Sequence, residues 1–183
     1  MNKNDYITLF NSVNPDLFER EDIKKLPDNA FFEEMILPLD EFDVHKYKKS
    51  FDDNISFGFY DGSFDELKEA IAAVDKDWLK IFHEDTRVFC GFYNDNIASF
   101  CIVEDMGIHT IDGRRLKIGG PGCVGTVPEY RNKGIGLTMV KCVTLFLKRE
   151  GYDYSYIHYT GVAPWYEKLG YKTIIKWNKN GIV

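Results

Sequence analysis

The sequence predicts an α/β fold in which a mostly antiparallel sheet is flanked by helices. Three observations predict it. Ile55–Tyr60 alternates apolar and small residues, the two-residue period of strands, and the apolar runs Arg87–Tyr93 and Ile97–Val103 read as two further strands. Tight-turn sequences, Asn94-Asp95-Asn96 and Asp112-Gly113, join successive runs into an antiparallel meander. Two stretches, near 64–74 and 136–150, instead carry apolar residues at helical spacing.

Each element has a local cause. Residues 1–54 suggest short helical pieces around Phe10, Leu17, Phe18, Ile23 and Leu26, broken up by Pro15, Pro27 and Pro38. After the strand at Ile55, Asp61-Gly62 turns the chain. Ser63 is then an N-cap, and Glu66 stands three residues on, the capping-box spacing. Phe64, Leu67, Ala70, Ile71 and Val74 give the following helix its apolar stripe, and a second helix from Lys76 to Phe82 presents Trp78, Leu79 and Phe82. A long strand starts near Leu116. The helix from Gly136 to Glu150 keeps Met139, Val143, Phe146 and Leu147 on one side, and Gly151 ends it. Asp153–Thr160 reads as a tyrosine-rich strand, Pro164 as the first turn of a short helix, Gly170 as its C′ residue, and Tyr171–Trp177 as the last clear strand. Residues 178–183 read as a short or frayed tail.

The richest stretch is Leu116–Arg149, which reads as strand, loop and helix. The loop Arg131-Asn132-Lys133-Gly134-Ile135-Gly136 sets two glycines and two cations where the helix begins. A helix N-terminus has unpaired N–H groups and partial positive charge, so it suits a phosphate. Glycines let the backbone turn and approach a ligand closely. The loop therefore reads as an anion cradle for a phosphorylated cofactor. The bland alternative is a glycine-eased turn with solvated cations.

Two motifs carry a resemblance. Val127-Pro-Glu-Tyr-Arg-Asn-Lys-Gly-Ile-Gly136 resembles the acetyl-coenzyme A signature Arg/Gln-x-x-Gly-x-Gly/Ala of the GNAT N-acetyltransferase superfamily. Trp165-Tyr166-Glu167-Lys168-Leu169-Gly170-Tyr171 resembles the Phe-Tyr-Glu-Lys-x-Gly-Phe helix near the end of such domains. The resemblance implies the GNAT fold over residues 55–183, with a mixed, mostly antiparallel sheet, and leaves 1–54 as an N-terminal extension packed on that core. It implies an enzyme that moves an acetyl group from acetyl-coenzyme A, its co-substrate, to a primary amine by direct attack in a ternary complex. The rival is a non-catalytic acyl-coenzyme A-binding module or regulator of the same fold.

Residue roles follow from the resemblance. The amides of Arg131, Asn132, Lys133, Gly134, Ile135 and Gly136 would hold the pyrophosphate. Val124 and Thr126, on a bulged strand, would pair with the pantetheine arm, and an N–H near Val124 would serve as oxyanion donor. Tyr166 matches the tyrosine that protonates the departing thiolate; the bland reading is a packed helix tyrosine. A base is also required, because an alkylamine is neutral in only about 1 molecule in 2,500 at pH 7. Candidates are Glu104, Asp105, His109, Glu129 and His158, with Glu104 the first choice. Two departures stand out: no acid lies between Leu116 and Val127, and Thr160-Gly161-Val162 replaces an asparagine that many relatives carry before the last helix.

Composition narrows the classes. The 183 residues suffice for one domain with a sizeable core, and 44% hydrophobic content argues against disorder. No signal-peptide pattern or membrane-length apolar run appears, so the expectation is a cytoplasmic protein without membrane partners. The net charge of −6 lies in residues 1–54, which hold 13 acids and 7 bases. Residues 113–141 hold six bases and one acid, so a polyanion is welcome locally, while the whole chain would repel nucleic acid. Cysteines 90, 101, 123 and 142 and the four histidines show no zinc spacing and imply no metal. Gly120-Pro-Gly-Cys-Val-Gly125 matches Gly-x-Gly-x-x-Gly but does not open a helix, so it reads as a bulged strand near a ligand. The acceptor, a small-molecule or peptide amine, and the oligomeric state, with a homodimer among the options, are not legible.

Overall fold

A computed structural model describes residues 1–183. Its sheet has eight strands: β1 (Phe32–Pro38), β2 (Ile55–Phe59), β3 (Val88–Tyr93), β4 (Asn96–Ile111), β5 (Arg114–Thr126), β6 (Tyr154–Thr160), β7 (Lys172–Asn178) and β8 (Gly181–Ile182). The helices are α1 (Lys3–Val13), α2 (Glu21–Lys24), α3 (Phe64–Val74), α4 (Ile135–Arg149) and α5 (Ala163–Glu167). The sheet order is β2-β3-β4-β5-β6-β1-β7-β8. The pairs β2–β3, β3–β4, β1–β6, β1–β7 and β7–β8 are antiparallel, and β5–β6 is parallel. The chain divides into two compact units.

The first unit comprises Met1–Asp43, Asp105–Gly120 and Leu147–Val183. Its unexpected element is β1. The strand lies between β6 and β7, pairing Ile36 with Tyr156 on one side and with Lys172 on the other. Residues 1–54 thus supply a central strand as well as the expected helices. A bulge at Glu33–Met35 shifts its register, which is why its apolar residues do not alternate cleanly. α1 starts at Asn2, whose side chain accepts from Asn4 and Asp5 N–H while Asp5 caps the Asn2 N–H in return, a full capping box. Its residues Leu9 and Phe10 are wholly buried, the first with Ile36, Ile118 and Tyr156, the second with Leu17, Ile23 and Trp177. The expected tail instead forms β8, with Trp177 opposite Ile182.

The second unit comprises Val44–Glu104 and Pro121–Phe146. The hairpin joining β3 and β4 turns at Asn94 and Asp95, both left-handed, as a two-residue turn matched to strand twist requires. α3 buries Leu67 and Ile71 against Cys90, Ile97 and Phe100 of the sheet. The capping box expected at Ser63 is incomplete. Ser63 accepts from the Asp65 N–H, but Glu66 is beside Tyr60, whose hydroxyl lies 2.9 Å from it and 2.8 Å from the Ser63 carbonyl. The second helix of this unit is a shorter 3₁₀ segment, Lys76–Lys80, that packs Trp78 and Leu79 on the same cluster. α4 buries Ile135, Leu137, Met139, Val140 and Val143, a broader apolar face than the stripe read from sequence.

Candidate functional site

The site-bearing part of the second unit begins at the end of β5. Cys123 adopts a left-handed φ of 46°, so the backbone of this strand departs from regular geometry at a cysteine rather than at a glycine. The glycines make room instead. A β-carbon on Gly122 would collide with the Glu104 carboxylate, and one on Gly125 with the Phe100 ring. Val124 and Thr126, which follow Cys123, are half-buried. The Thr126 carbonyl accepts from Arg131 Nε at 3.1 Å, which fixes the guanidinium beside the loop. The Val127 N–H donates to the Ala98 carbonyl at 3.0 Å and anchors the strand end.

A 3₁₀ turn, Pro128–Tyr130, then delivers the loop. Asn132 (φ 62°) and Gly134 (φ 85°) are left-handed, and alternation of this kind turns successive N–H groups toward one side as an anion nest. The first helical bond runs from the Thr138 N–H to the Gly134 carbonyl at 3.1 Å. The amides of Ile135, Gly136 and Leu137 precede it and have no partner within the helix. Ile135 is wholly buried, and its side chain belongs to the core. Lys133 Nζ stands 5.0 Å from the ring centre of Tyr93 and 5.7 Å from that of Tyr130, a cation–π seat that leaves its charge uncompensated by any carboxylate. The Thr138 hydroxyl, in the first turn of α4 and 6% exposed with its residue, has no hydrogen-bond partner.

Sequence reading missed one side of this loop. Tyr47 and Lys49, far upstream in the chain, lie against Gly134: a β-carbon there would stand 3.0 Å from Tyr47 Oη and 3.3 Å from Lys49 Cγ and Cε. Lys141 of α4 donates from Nζ to the Tyr47 carbonyl at 3.2 Å and holds the segment down. The basic run Lys46-Tyr-Lys-Lys49 inside an otherwise acidic third was the available signal.

The base candidates separate on geometry. Glu104, half-buried, lies over Gly122, one residue before the left-handed Cys123. His109 is held between Ser12 Oγ (2.7 Å) and the Met106 carbonyl (2.8 Å). Its Nε2–H must donate to that carbonyl, so Nδ1 accepts from Ser12, and its lone pair is committed. Asp105 is exposed and accepts from the Gly107 N–H, closing a local turn. Glu129 is exposed beside the Tyr130 phenol. His158 stacks on Tyr159, with ring centres 4.7 Å apart, in the first unit. The Cys123 thiol is pushed up to about 12 by burial and by the nearby Glu104, so it stays protonated and is a poor nucleophile. No three His, Cys, Asp or Glu side chains converge to hold a metal ion.

Tyr166 belongs to the first unit. α5 opens with Pro164 in its first turn, and Gly170 (φ 104°) lets the chain double back. Tyr166 is buried, its ring edge-on to Trp165 (4.8 Å) and Tyr171 (6.1 Å). Tyr171 is locked in turn by a 2.7 Å hydrogen bond with Ser155 Oγ. The ring is therefore fixed by packing.

Comparison with known proteins places this arrangement. A family model described as an acetyltransferase (GNAT) domain matches residues 44–174. A GCN5-related glucosamine N-acetyltransferase region of a fungal multi-domain GH3 beta-N-acetylglucosaminidase is similar in structure, with a TM-score of 0.63 at 21% identity over 82% of this chain. A GCN5-related N-acetyltransferase from Sphaerobacter thermophilus gives 0.59 at 18% identity over 81%. One from Kribbella flavida gives 0.52 at 16% over 81%. At such identities the likeness is one of fold. The chain spans 20%, 50% and 56% of those three chains respectively. A search of curated proteins returned no match. No helix is long and apolar enough to cross a membrane. With a family model covering well over half its length and the fold in agreement, the chain belongs to the GNAT acetyltransferase family.

Proposed function

We propose that this chain is an N-acetyltransferase that moves an acetyl group from acetyl-coenzyme A to a primary amine, by direct attack while both are bound. The observation that carries the reading is the 131–136 loop. Its left-handed Asn132 and Gly134 precede three amides without helical partners, flanked by Arg131 and Lys133. The residues suit a diphosphate: main-chain donors, helix-end positive potential and two cations act together. The unpartnered Thr138 hydroxyl adds one more polar group to the same first turn.

The chemistry asks for three further acts. Acetyl-coenzyme A supplies an activated thioester. The carbonyl oxygen gains charge as the amine attacks, and an N–H near Val124, beside the left-handed Cys123, is our oxyanion donor. Glu104 accepts the proton of the incoming ammonium, directly or through water. The Tyr166 hydroxyl gives a proton to the departing thiolate. A phenol of pKa ~10 transferring to a thiolate whose acid lies near ~8.5 is only slightly uphill.

Thiol release on mixing the protein with acetyl-coenzyme A and a panel of primary amines tests this reading. Acceptor-dependent release is expected with at least one amine. Tyr166→Phe keeps the packed ring and should lower kcat about 10- to 100-fold with little change in KM. Donor binding without turnover of any amine would favour a binding module instead, and an unchanged rate in Tyr166→Phe would remove the tyrosine from the mechanism.

A further inference from the structure

Coenzyme A carries more negative charge than the loop alone offsets. Its diphosphate contributes about two charges and its 3′-phosphate monoester about two more, since phosphate monoesters have a second pKa near ~6. Arg131 and Lys133 supply two positive charges, and a helix end supplies roughly half of one. The nest of amides is a match for the diphosphate, which leaves the monoester without a partner of its own.

The segment before β2 brings a third cation, Lys49, against Gly134 of this loop. Lys49 packs along Gly134, with both Cγ and Cε 3.3 Å from where a β-carbon there would stand, so its side chain lies beside the loop. Three features show that the contact is built. Gly134 leaves the space that Tyr47 and Lys49 occupy. Lys141 ties the Tyr47 carbonyl to α4 at 3.2 Å. Lys49 itself is exposed and forms no ion pair, so its charge is available. The first turn of α4, which follows Gly134 in the chain, keeps an unpartnered buried hydroxyl on Thr138. All of these residues lie within the second unit.

We infer that Lys49 binds the 3′-phosphate of the acetyl donor and makes the protein discriminate coenzyme A from its dephosphorylated form, with Tyr47 as the residue that positions it. The inference rests on the acetyl-coenzyme A reading above and goes beyond it in assigning a specificity element outside the 131–136 loop. It also gives the basic run in the acidic N-terminal third a task.

Titration calorimetry with coenzyme A and with 3′-dephospho-coenzyme A tests it, using the whole chain, Lys49→Ala and Lys48→Ala. Lys48 is also exposed and is not among the side chains nearest to Gly134. The unsubstituted protein should bind coenzyme A roughly tenfold more tightly than the dephospho form, a difference typical of one charge-assisted contact. Lys49→Ala should bring coenzyme A down to the dephospho level and leave dephospho-coenzyme A unchanged, while Lys48→Ala keeps the full ratio. Equal weakening of both ligands by Lys49→Ala, or the same loss in Lys48→Ala, would overturn the inference and leave the donor reading standing. Failure of the unsubstituted protein to bind either ligand would end both.

Discussion

Gly122 of β5 is the floor on which the Glu104 carboxylate rests: any side chain at 122 would occupy the place of Glu104 Oε1. A β-carbon there would have to push the carboxylate aside, one position before the left-handed Cys123. If Glu104 is the base, Glu104→Gln should cut kcat/KM at pH 7 by about 100-fold or more. Gly122→Ala should do nearly as much by displacing the carboxylate. In the double variant the two losses should not add, because the glycine acts through the glutamate. Additive losses in a steady-state double-mutant cycle would break the link.

The loop makes a separate prediction about stability. Gly134 combines a φ of 85° with close neighbours, Tyr47 Oη and Lys49. Alanine there would incur about 1–2 kcal/mol of left-handed strain, before crowding against Tyr47 is counted. For a chain of this size that amounts to a fall in Tm of roughly 2–8 °C, together with weaker donor binding. Asparagine, which visits this region more readily, should recover part of the stability but not the binding. Thermal unfolding alongside donor titration separates the two effects.

These local features were readable because they depend on neighbours in sequence. The 131–136 loop, the turns at 94–95 and 112–113, and the Pro164 and Gly170 boundaries all appear where residue chemistry puts them. What escaped depends on tertiary partners. β1 hides because Glu33 and Glu34 interrupt its apolar run, and Glu34 becomes acceptable inside only because Trp177 Nε1 (2.7 Å) and the Tyr159 N–H (3.1 Å) donate to it. Glu66 stands at capping-box spacing but is taken by Tyr60, six residues back. Lys49 meets Gly134 across 85 positions, and no periodicity encodes that meeting. Likewise Glu104 was one acid among several until the missing side chain at 122 showed where it lies.

A test of packing comes from Arg87. Its guanidinium carbon is 4.5 Å from the ring centre of Phe59 and 4.6 Å from that of Phe146, and the two rings are edge-to-face at 5.1 Å. The cation is thus clasped between two aromatic faces. Arg87→Ala should cost about 1–2 kcal/mol, from two cation–π contacts and the lost aliphatic stem. Lysine should recover less than half, since it lacks the planar group that stacks on rings. Urea unfolding would show a lower midpoint with an unchanged m value. An alanine variant as stable as the parent would reduce the clasp to a surface contact.

Glu34 gives the pH dependence. It is fully buried, and burial pushes its carboxyl above the usual range, although the donors Trp177 and Tyr159 and the nearby His158 pull the other way. Raised in the folded chain, the group favours folding while protonated. That contribution is complete below the unfolded value of ~4.3 and is lost as pH rises through the folded value. Glu34→Gln keeps an oxygen for Trp177 Nε1 and the Tyr159 N–H but never ionises. Every other carboxylate titrates alike in both proteins, so the difference between their stabilities isolates this residue. The variant should gain on the parent as pH rises from 4 to 7.5, seen as a widening difference in Tm. A constant difference across that range would mean that the two N–H donors hold Glu34 ionised throughout and outweigh the cost of burying it.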